Sequence, residues 1–218
     1  MPKPTFINLK KEKREVITSA FLREFAVKTY DEASITEVVK KLGIAKGSIY
    51  QYFADKLDLF VFLIGECSTV KQKYVGSVDR NNFKDFWAYF RELYTLGFQF
   101  DAENPLKSHF LHNLTQNLNS PSVKKLYDEM LQQIVSGFEI MVKAEVERKL
   151  FRDDISIKTM AFMLYKVGVS IQEQLEHTEV IIPKESIRKN LPVYQGKKEM
   201  LMQTVNEYIA LVKPAFDK

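Results

Sequence analysis

The chain has 218 residues, of which 45% are hydrophobic and 28% charged, and its formal net charge is +4. This composition fits a folded globular protein with a core of ordinary size, and it excludes a disordered chain. No run of about 18 apolar residues predicts a membrane span, and the N-terminus lacks the apolar core of a signal peptide, so we expect a cytoplasmic protein. The single cysteine, Cys67, excludes an internal disulfide and a metal site built from cysteine pairs.

The excess positive charge is concentrated in the first fourteen residues. They contain five lysine or arginine side chains against one glutamate, an excess equal to that of the whole chain. A basic arm that leads into a helix suits a polyanion such as DNA. A solubilising tail would have the same composition, so charge alone leaves both interpretations open.

Apolar residues recur at helical spacing along most of the chain, which predicts an all-α fold. The predicted helices cover about residues 10–28, 34–42, 46–53, 56–74, 82–100, 105–118, 121–149, 156–177 and 196–212. Ser34 and Glu37 have the spacing of a capping box, Gly43 suits a left-handed turn, and Asp55 and Ser156 are expected helix caps. Residues 180–192 are expected to form a connection.

Two short helices joined by a tight glycine turn predict a helix-turn-helix motif. In this motif the second short helix enters the major groove of DNA with its N-terminal residues facing base edges. Ile44 and Ile49 are expected to face inward. The outward positions then belong to Lys46, Ser48 and Gln51, while tyrosine hydroxyls and Lys56 suit phosphate oxygens.

The order of these motifs resembles a known DNA-binding domain. The chain reads SITEVV over residues 34–39 and GIAKGSIYQYF over residues 43–53, followed by Lys56 and Leu59. With the preceding helix, residues 13–59 resemble the DNA-binding domain of the TetR family of bacterial transcriptional repressors. Ala45 departs from the serine that is common in the family, which puts one hydroxyl contact or cap in doubt.

The resemblance implies an arrangement of domains and a set of DNA contacts. It implies a helix-turn-helix domain over residues 1–55 with a basic arm over 1–14, a connecting helix over 56–74, and an effector-binding and dimerisation domain over 75–218. The residues predicted to contact double-stranded operator DNA are Lys13, Ser34, Thr36, Ala45, Lys46, Gly47, Ser48, Tyr50, Gln51, Tyr52 and Lys56.

The resemblance also implies a homodimer in which the last two long helices pair with their mates in a four-helix bundle. Both helices have apolar stripes that suit helix packing, and burial within one subunit is the alternative for each position. The predicted dimer residues are Leu164, Gly168, Ile171, Leu175, Leu201, Val205, Tyr208, Ile209 and Val212.

Large, adaptable apolar side chains are abundant between residues 83 and 176, as they are in ligand pockets. We predict a pocket for an apolar or amphipathic small molecule, although any one of these side chains could instead belong to the core. The predicted ligand-binding residues are Trp87, Phe90, Tyr94, Phe110, Asn113, Met130, Gln133, Ile134, Phe138, Met141, Met163 and Gln172.

No motif for catalysis or for a cofactor is found. His109 and His112 are three residues apart on a predicted helix, but no third ligand is nearby, so no metal site is predicted. The prediction is therefore a homodimeric repressor, not an enzyme, that an effector releases from a palindromic operator. The alternatives are a ligand-independent activator or architectural DNA binder, and a helical carrier of a lipid-like ligand.

Overall fold

The computed structural model describes residues 1–114 and 120–218. The eleven α-helices in this part of the chain are α1 Pro4–Ile7, α2 Lys11–Val27, α3 Ile35–Leu42, α4 Lys46–Tyr52, α5 Lys56–Val75, α6 Phe86–Glu103, α7 Pro105–Asn113, α8 Lys124–Glu147, α9 Ile157–His177, α10 Pro183–Arg188 and α11 Lys198–Phe216. The described residues include no β-strand, which confirms the all-α prediction. The last predicted residues of the 105–118 helix lie outside the described ranges.

Three differences from the predicted helices involve proline. Helices α1 and α10 were not predicted, and each has a proline in its first turn, where a missing backbone N–H removes no helical hydrogen bond. Helix α11 continues to Phe216, past the predicted end at residue 212, and contains Pro214. Proline therefore marks helix starts here as well as connections.

The described residues form two compact units. The first comprises Met1–Lys73, Phe100–Lys124 and Lys184–Val193, and the second comprises Tyr74–Gln99, Lys125–Pro183 and Tyr194–Lys218. Helix α7 belongs to the first unit, where it packs along α2. The functional division at residues 55 and 75 stays a prediction, since the units describe packing alone.

Aromatic rings dominate the core of the first unit. The Phe60 ring lies 5.0 Å from that of Phe25, 5.1 Å from that of Tyr30 and 5.7 Å from that of Phe110, measured between centroids. Cys67 is a fully buried residue of α5, and burial raises the pKa of its thiol to about 12. This core holds α2, α5 and α7 together, and α3 of the helix-turn-helix motif packs against α2.

The second unit contains a separate aromatic core and a buried ion pair. The Trp87 ring contacts those of Phe151 and Phe216, and its indole N–H donates to Asp217 at 2.7 Å. The Glu145 carboxylate is buried and accepts from Arg80 at 2.7 Å. Among residues 1–114 and 120–218, no helix is long and apolar enough to cross a membrane.

Candidate nucleic-acid interface

Helix α3 begins at a cap that Ser34 and Glu24 share. The Ser34 hydroxyl accepts from the Glu37 amide at 3.3 Å, as the capping-box spacing predicts. The Glu37 carboxylate does not return to Ser34, since it accepts from Lys28 at 3.0 Å. Instead the buried Glu24 carboxylate accepts from the Ser34 amide at 3.0 Å and from Lys28 at 2.7 Å. These hydrogen bonds connect the start of α3 to the C-terminal end of α2.

The turn between α3 and α4 has the predicted left-handed glycine. Gly43 caps α3 at φ 65°, and its amide and that of Ile44 donate back to carbonyls of the last turn. Ile49 is buried beneath α4, while Ile44 is only half-buried. Ala45 precedes α4 and provides no side-chain cap, which is the consequence expected where the family commonly has serine.

Helix α4 presents most of its predicted DNA-contacting residues to solvent. Lys46, Gly47 and Gln51 are exposed and Ser48 is half-buried, with Ala45 exposed before them. Thr36 and Lys13 are also exposed on α3 and α2, and Ser34 is half-buried at its cap. Small, polar and positively charged groups at the start of a short helix are suited to base edges and phosphates.

Two of the predicted DNA contacts have partners within the protein. The Tyr52 side chain is buried with its ring 5.7 Å from that of Phe6, because α4 turns this face toward the core. The Lys56 amine lies 4.7 Å from the centre of the Tyr30 ring and donates to the Asp31 carbonyl at 3.4 Å. Partial burial lowers the pKa of that amine. In this structure Lys56 fastens the turn between α2 and α3.

The predicted basic arm is folded onto the motif over its first nine residues. The Lys3 amide donates to the Tyr52 carbonyl at 2.8 Å, and the Lys3 amine donates to the Tyr50 carbonyl at 2.7 Å. Phe6 is buried against α4 and α5. In the sequence this segment shows only Phe6, Ile7 and Leu9 after two prolines, and a helix of four residues is too short to show helical periodicity.

The predicted ligand residues fall into three groups. Trp87, Phe90 and Phe110 are core residues, since aromatic neighbours enclose them and leave almost no free surface. Asn113 forms hydrogen bonds within the first unit. Its side-chain amide donates to the Phe25 carbonyl at 2.9 Å and to the Lys28 carbonyl at 3.0 Å. The remaining residues keep partial or full exposure and are Tyr94, Met130, Gln133, Ile134, Phe138, Met141, Met163 and Gln172.

Among the predicted ligand residues, Tyr94 alone has a hydroxyl group. Its ring lies 5.3 Å from that of Phe90, and burial raises the pKa of its hydroxyl. A Cβ at Gly168 would lie 3.6 Å from the same oxygen. Gly168, predicted at the dimer interface, therefore approaches Tyr94 of its own chain.

Most of the predicted dimer residues are buried within a single chain. Leu164, Ile171 and Leu175 of α9 are buried, as are Leu201, Val205, Ile209 and Val212 of α11. Tyr208 is half-buried, and its hydroxyl donates to the Ser170 carbonyl at 3.4 Å. The stripes pack α9 against α11 within one chain, which is the alternative that the sequence left open, and contacts with a second copy stay a prediction.

The two histidines of α7 have structural surroundings. His109 is buried and its Nε2 lies 2.9 Å from the Leu191 carbonyl oxygen. Burial lowers the pKa of this imidazole. Within the described ranges, no group of three or more His, Cys, Asp or Glu side chains is arranged to hold a metal ion.

Comparisons with known proteins agree with this geometry. Residues 17–61 match the family model described as bacterial regulatory proteins, tetR family. The chain is 33% identical over 67 residues to YdgC, an uncharacterised HTH-type transcriptional regulator of Bacillus subtilis, and 37% identical over 54 residues to BepR, an HTH-type transcriptional repressor of Brucella suis. These matches cover 31% and 25% of this chain, and 34% and 26% of the length of the two relatives.

A crystal structure extends the similarity to the whole chain. It is that of a TetR family transcriptional regulator from Chloroflexus aurantiacus, with a TM-score of 0.78 and 27% identity, over 100% of this chain and 99% of that one. The matched family and relatives are transcriptional regulators and not enzymes. Residues 17–61 therefore match a TetR-type helix-turn-helix domain, and the complete helical fold resembles that of a TetR family transcriptional regulator.

Proposed function

We propose that this protein is a homodimeric transcriptional repressor that binds a palindromic operator in the cytoplasm and is released from it by an apolar or amphipathic small molecule. The observation that carries the proposal is the exposed face of α4, where Lys46, Gly47 and Gln51 are open to solvent while Ile49 is buried. BepR is a repressor, which supports repression over activation.

The chemistry of α4 suits the major groove. Gln51 can form two hydrogen bonds with adenine, and Lys46 can pair with a phosphate or with guanine. A Cβ added at Gly47 would meet no atom within 4 Å, so the absence of a side chain there leaves room for the DNA backbone. These groups provide both the positioning and the sequence-reading contacts that operator binding requires.

A palindromic operator requires two copies of α4 about 34–36 Å apart. The outer faces of α9 and α11 support a dimer, because they expose large apolar side chains beside their buried stripes. Phe162 and Met163 are each nearly half exposed on α9, and Leu211 is 76% exposed on α11. Exposed apolar residues on two helices that already pack together are typical of an interface between subunits.

The response to an effector rests on two observations, one in each unit. In the second unit, the Tyr94 hydroxyl lies in a largely buried site beside Phe90 and Gly168, where a ligand with one polar group would form a hydrogen bond with it. In the first unit, Asn113 of α7 holds the carbonyls at the end of α2. An effector that favours another position of α7 would therefore shift α2 and lower DNA affinity.

The first test is selection of bound duplexes from a random pool by the purified protein. We expect a palindromic motif with two half-sites. No enrichment, together with no binding at low salt, would exclude sequence-specific DNA binding. Mass spectrometry of the native protein then shows whether a small molecule was retained during purification, and equal operator affinity with and without that molecule would rule out effector release.

A further inference from the structure

The end of α4 needs support that the helix cannot supply itself. The helix has seven residues, Lys46–Tyr52, and helices this short are unstable without tertiary contacts. Its last carbonyls also lack partners inside the helix. The Ile49 carbonyl accepts from the Phe53 amide at 2.8 Å, which leaves the carbonyls of Tyr50, Gln51 and Tyr52 to be satisfied from outside.

Residues 3–9 satisfy all three carbonyls in sequence. The Lys3 amine donates to the Tyr50 carbonyl at 2.7 Å, the Thr5 hydroxyl donates to the Gln51 carbonyl, and the Lys3 amide donates to the Tyr52 carbonyl at 2.8 Å. One short segment therefore fixes the three residues that end α4. A rotation of the helix would break these bonds together.

Phe6 anchors the segment in the core. It is 3% exposed, and its ring centroid lies 4.9 Å from that of Phe53 and 5.4 Å from that of Phe62. At the far end of the segment, the Arg14 guanidinium donates to the carbonyls of Ile7 and Leu9. The segment is thus joined to α2, α4 and α5, and its position relative to α4 is fixed from both ends.

We propose that residues 3–9 are a positioning segment for sequence-specific DNA binding, in which Lys3, Thr5 and Phe6 set the orientation of α4. The inference rests on the proposed binding of operator DNA by α4. It assigns Lys3 a role opposite to that expected of a basic arm, because its ammonium bonds to the Tyr50 carbonyl and does not pair with phosphate.

The structural half of the proposal is tested without DNA. Hydrogen–deuterium exchange of the peptide spanning residues 46–53 is compared in the wild type, Phe6→Ala and Ile7→Ala. Ile7 lies on the same helix but is 55% exposed, so it is the matched control. Exchange in this peptide is expected to rise about tenfold or more in Phe6→Ala and to stay at the wild-type rate in Ile7→Ala. A wild-type rate in Phe6→Ala would overturn the proposal.

The functional half uses Lys3→Met and Thr5→Val, which keep side-chain size and the buried Phe6. Each is expected to weaken binding to the selected operator by about three- to tenfold, the effect of one lost hydrogen bond, and to weaken binding to random DNA less. The slope of log affinity against log salt should not change in Lys3→Met. Lys46→Met is the comparison variant, and its slope should become shallower by about 0.9 for each bound subunit, the effect of one lost phosphate contact per half-site.

These experiments distinguish failure of the positioning role of residues 3–9 from failure of operator binding. A shallower salt slope in Lys3→Met would mean that Lys3 contacts phosphate and would overturn the positioning role. Unchanged operator affinity in both variants would overturn it as well. If the wild type selects no DNA sequence, operator binding fails on its own account, while the exchange experiment still reports whether residues 3–9 hold α4.

Discussion

Gly43 occupies a backbone conformation that other residues adopt at a cost. Its φ is 65°, and a Cβ added there would meet no atom within 4 Å, so the cost of substitution is conformational and not steric. We expect Gly43→Val to lower the free energy of unfolding by about 1–2 kcal/mol, and Gly43→Asn to lower it less, because asparagine tolerates the left-handed region. Urea denaturation measures both; equal stability of the three proteins would contradict the assigned turn.

The carboxylate of Asp31 is expected to make the stability of the first unit depend on pH. The Ser120 hydroxyl donates to its carboxylate at 2.5 Å, and this bond holds the pKa of Asp31 below its usual value. A lowered folded-state pKa stabilises the fold above the ordinary aspartate pKa, and the contribution disappears as the pH falls through the folded-state pKa.

Ser120→Ala should therefore raise the pKa of Asp31 toward its ordinary value, as followed by NMR titration of the side-chain carboxyl. The melting temperatures of the variant and the wild type should differ at neutral pH and converge as the pH falls through the lowered folded-state pKa of Asp31. A difference that stays constant into strong acid would show that Ser120 acts through packing and not through this carboxylate.

Gln51 is the residue expected to read a base. Its side chain is exposed on α4, and its backbone carbonyl accepts from the Thr5 hydroxyl. Gln51→Ala should reduce discrimination at one operator position by about 1–3 kcal/mol if a bidentate contact is lost. Titration of operators that differ at each position measures this change. Unchanged preference at every position would remove Gln51 from base recognition, whatever the overall affinity.

At the scale of elements, the end of α2 depends on α7. The Asn113 amide donates to two carbonyls there, Phe25 and Lys28, which are among the groups that a helix end leaves without internal partners. We expect Asn113→Leu to lower the free energy of unfolding by about 1–3 kcal/mol, since two partly buried acceptors lose their donor. Amide exchange should rise over residues 24–28 in particular; protection unchanged there would argue against the cap.

The long helices could be predicted from periodicity because their stripes exceed two turns. The boundaries of α9 are an example, since Ser156 caps its first turn at 3.2 Å from the Thr159 amide, as expected. Helix α1 could not be predicted in this way, because four residues do not complete a second turn. It is stabilised by contacts with Tyr52, Phe53 and Phe62. These residues are too far away in the sequence for a local pattern to reveal the contacts.

The candidate site was predictable where sequence fixes local geometry and less so where partners are distant. Gly43, Ser34 and the exposed start of α4 follow from local rules. Lys56 does not, because its choice of the Tyr30 ring depends on how α5 meets the turn before α3. The same limit applies to Trp87 and Phe90, since a large apolar side chain suits a core and a pocket equally well until its neighbours are known.

At the scale of the whole molecule, the exposed faces of α9 and α11 predict the mode of assembly. Phe162→Glu and Leu211→Glu would each bury an unpaired charge in the proposed dimer interface. Each is expected to raise the dimer dissociation constant by about 30-fold or more, the effect of losing a contact of about 2 kcal/mol. Sedimentation velocity over a concentration series measures the change.

Ile140 provides the control for this experiment. It is 73% exposed on α8 and so presents a similar apolar surface outside α9 and α11. Ile140→Glu should leave the dimer dissociation constant unchanged. If this variant dissociates the dimer while the other two do not, the interface uses α8 and the proposed four-helix arrangement is wrong.

The bonds that end α4 join residues 3 and 5 to backbone carbonyls, and a backbone carbonyl is present whatever side chain its residue carries. Mutations at Gln51 can therefore change the base that is read while the Thr5 bond to its carbonyl persists. The same holds at exposed Lys46 and half-buried Ser48, which contribute little to the core. Recognition and folding are thus encoded in different atoms of the same helix, so a duplicated gene could acquire a new operator by single substitutions without first losing a folded protein.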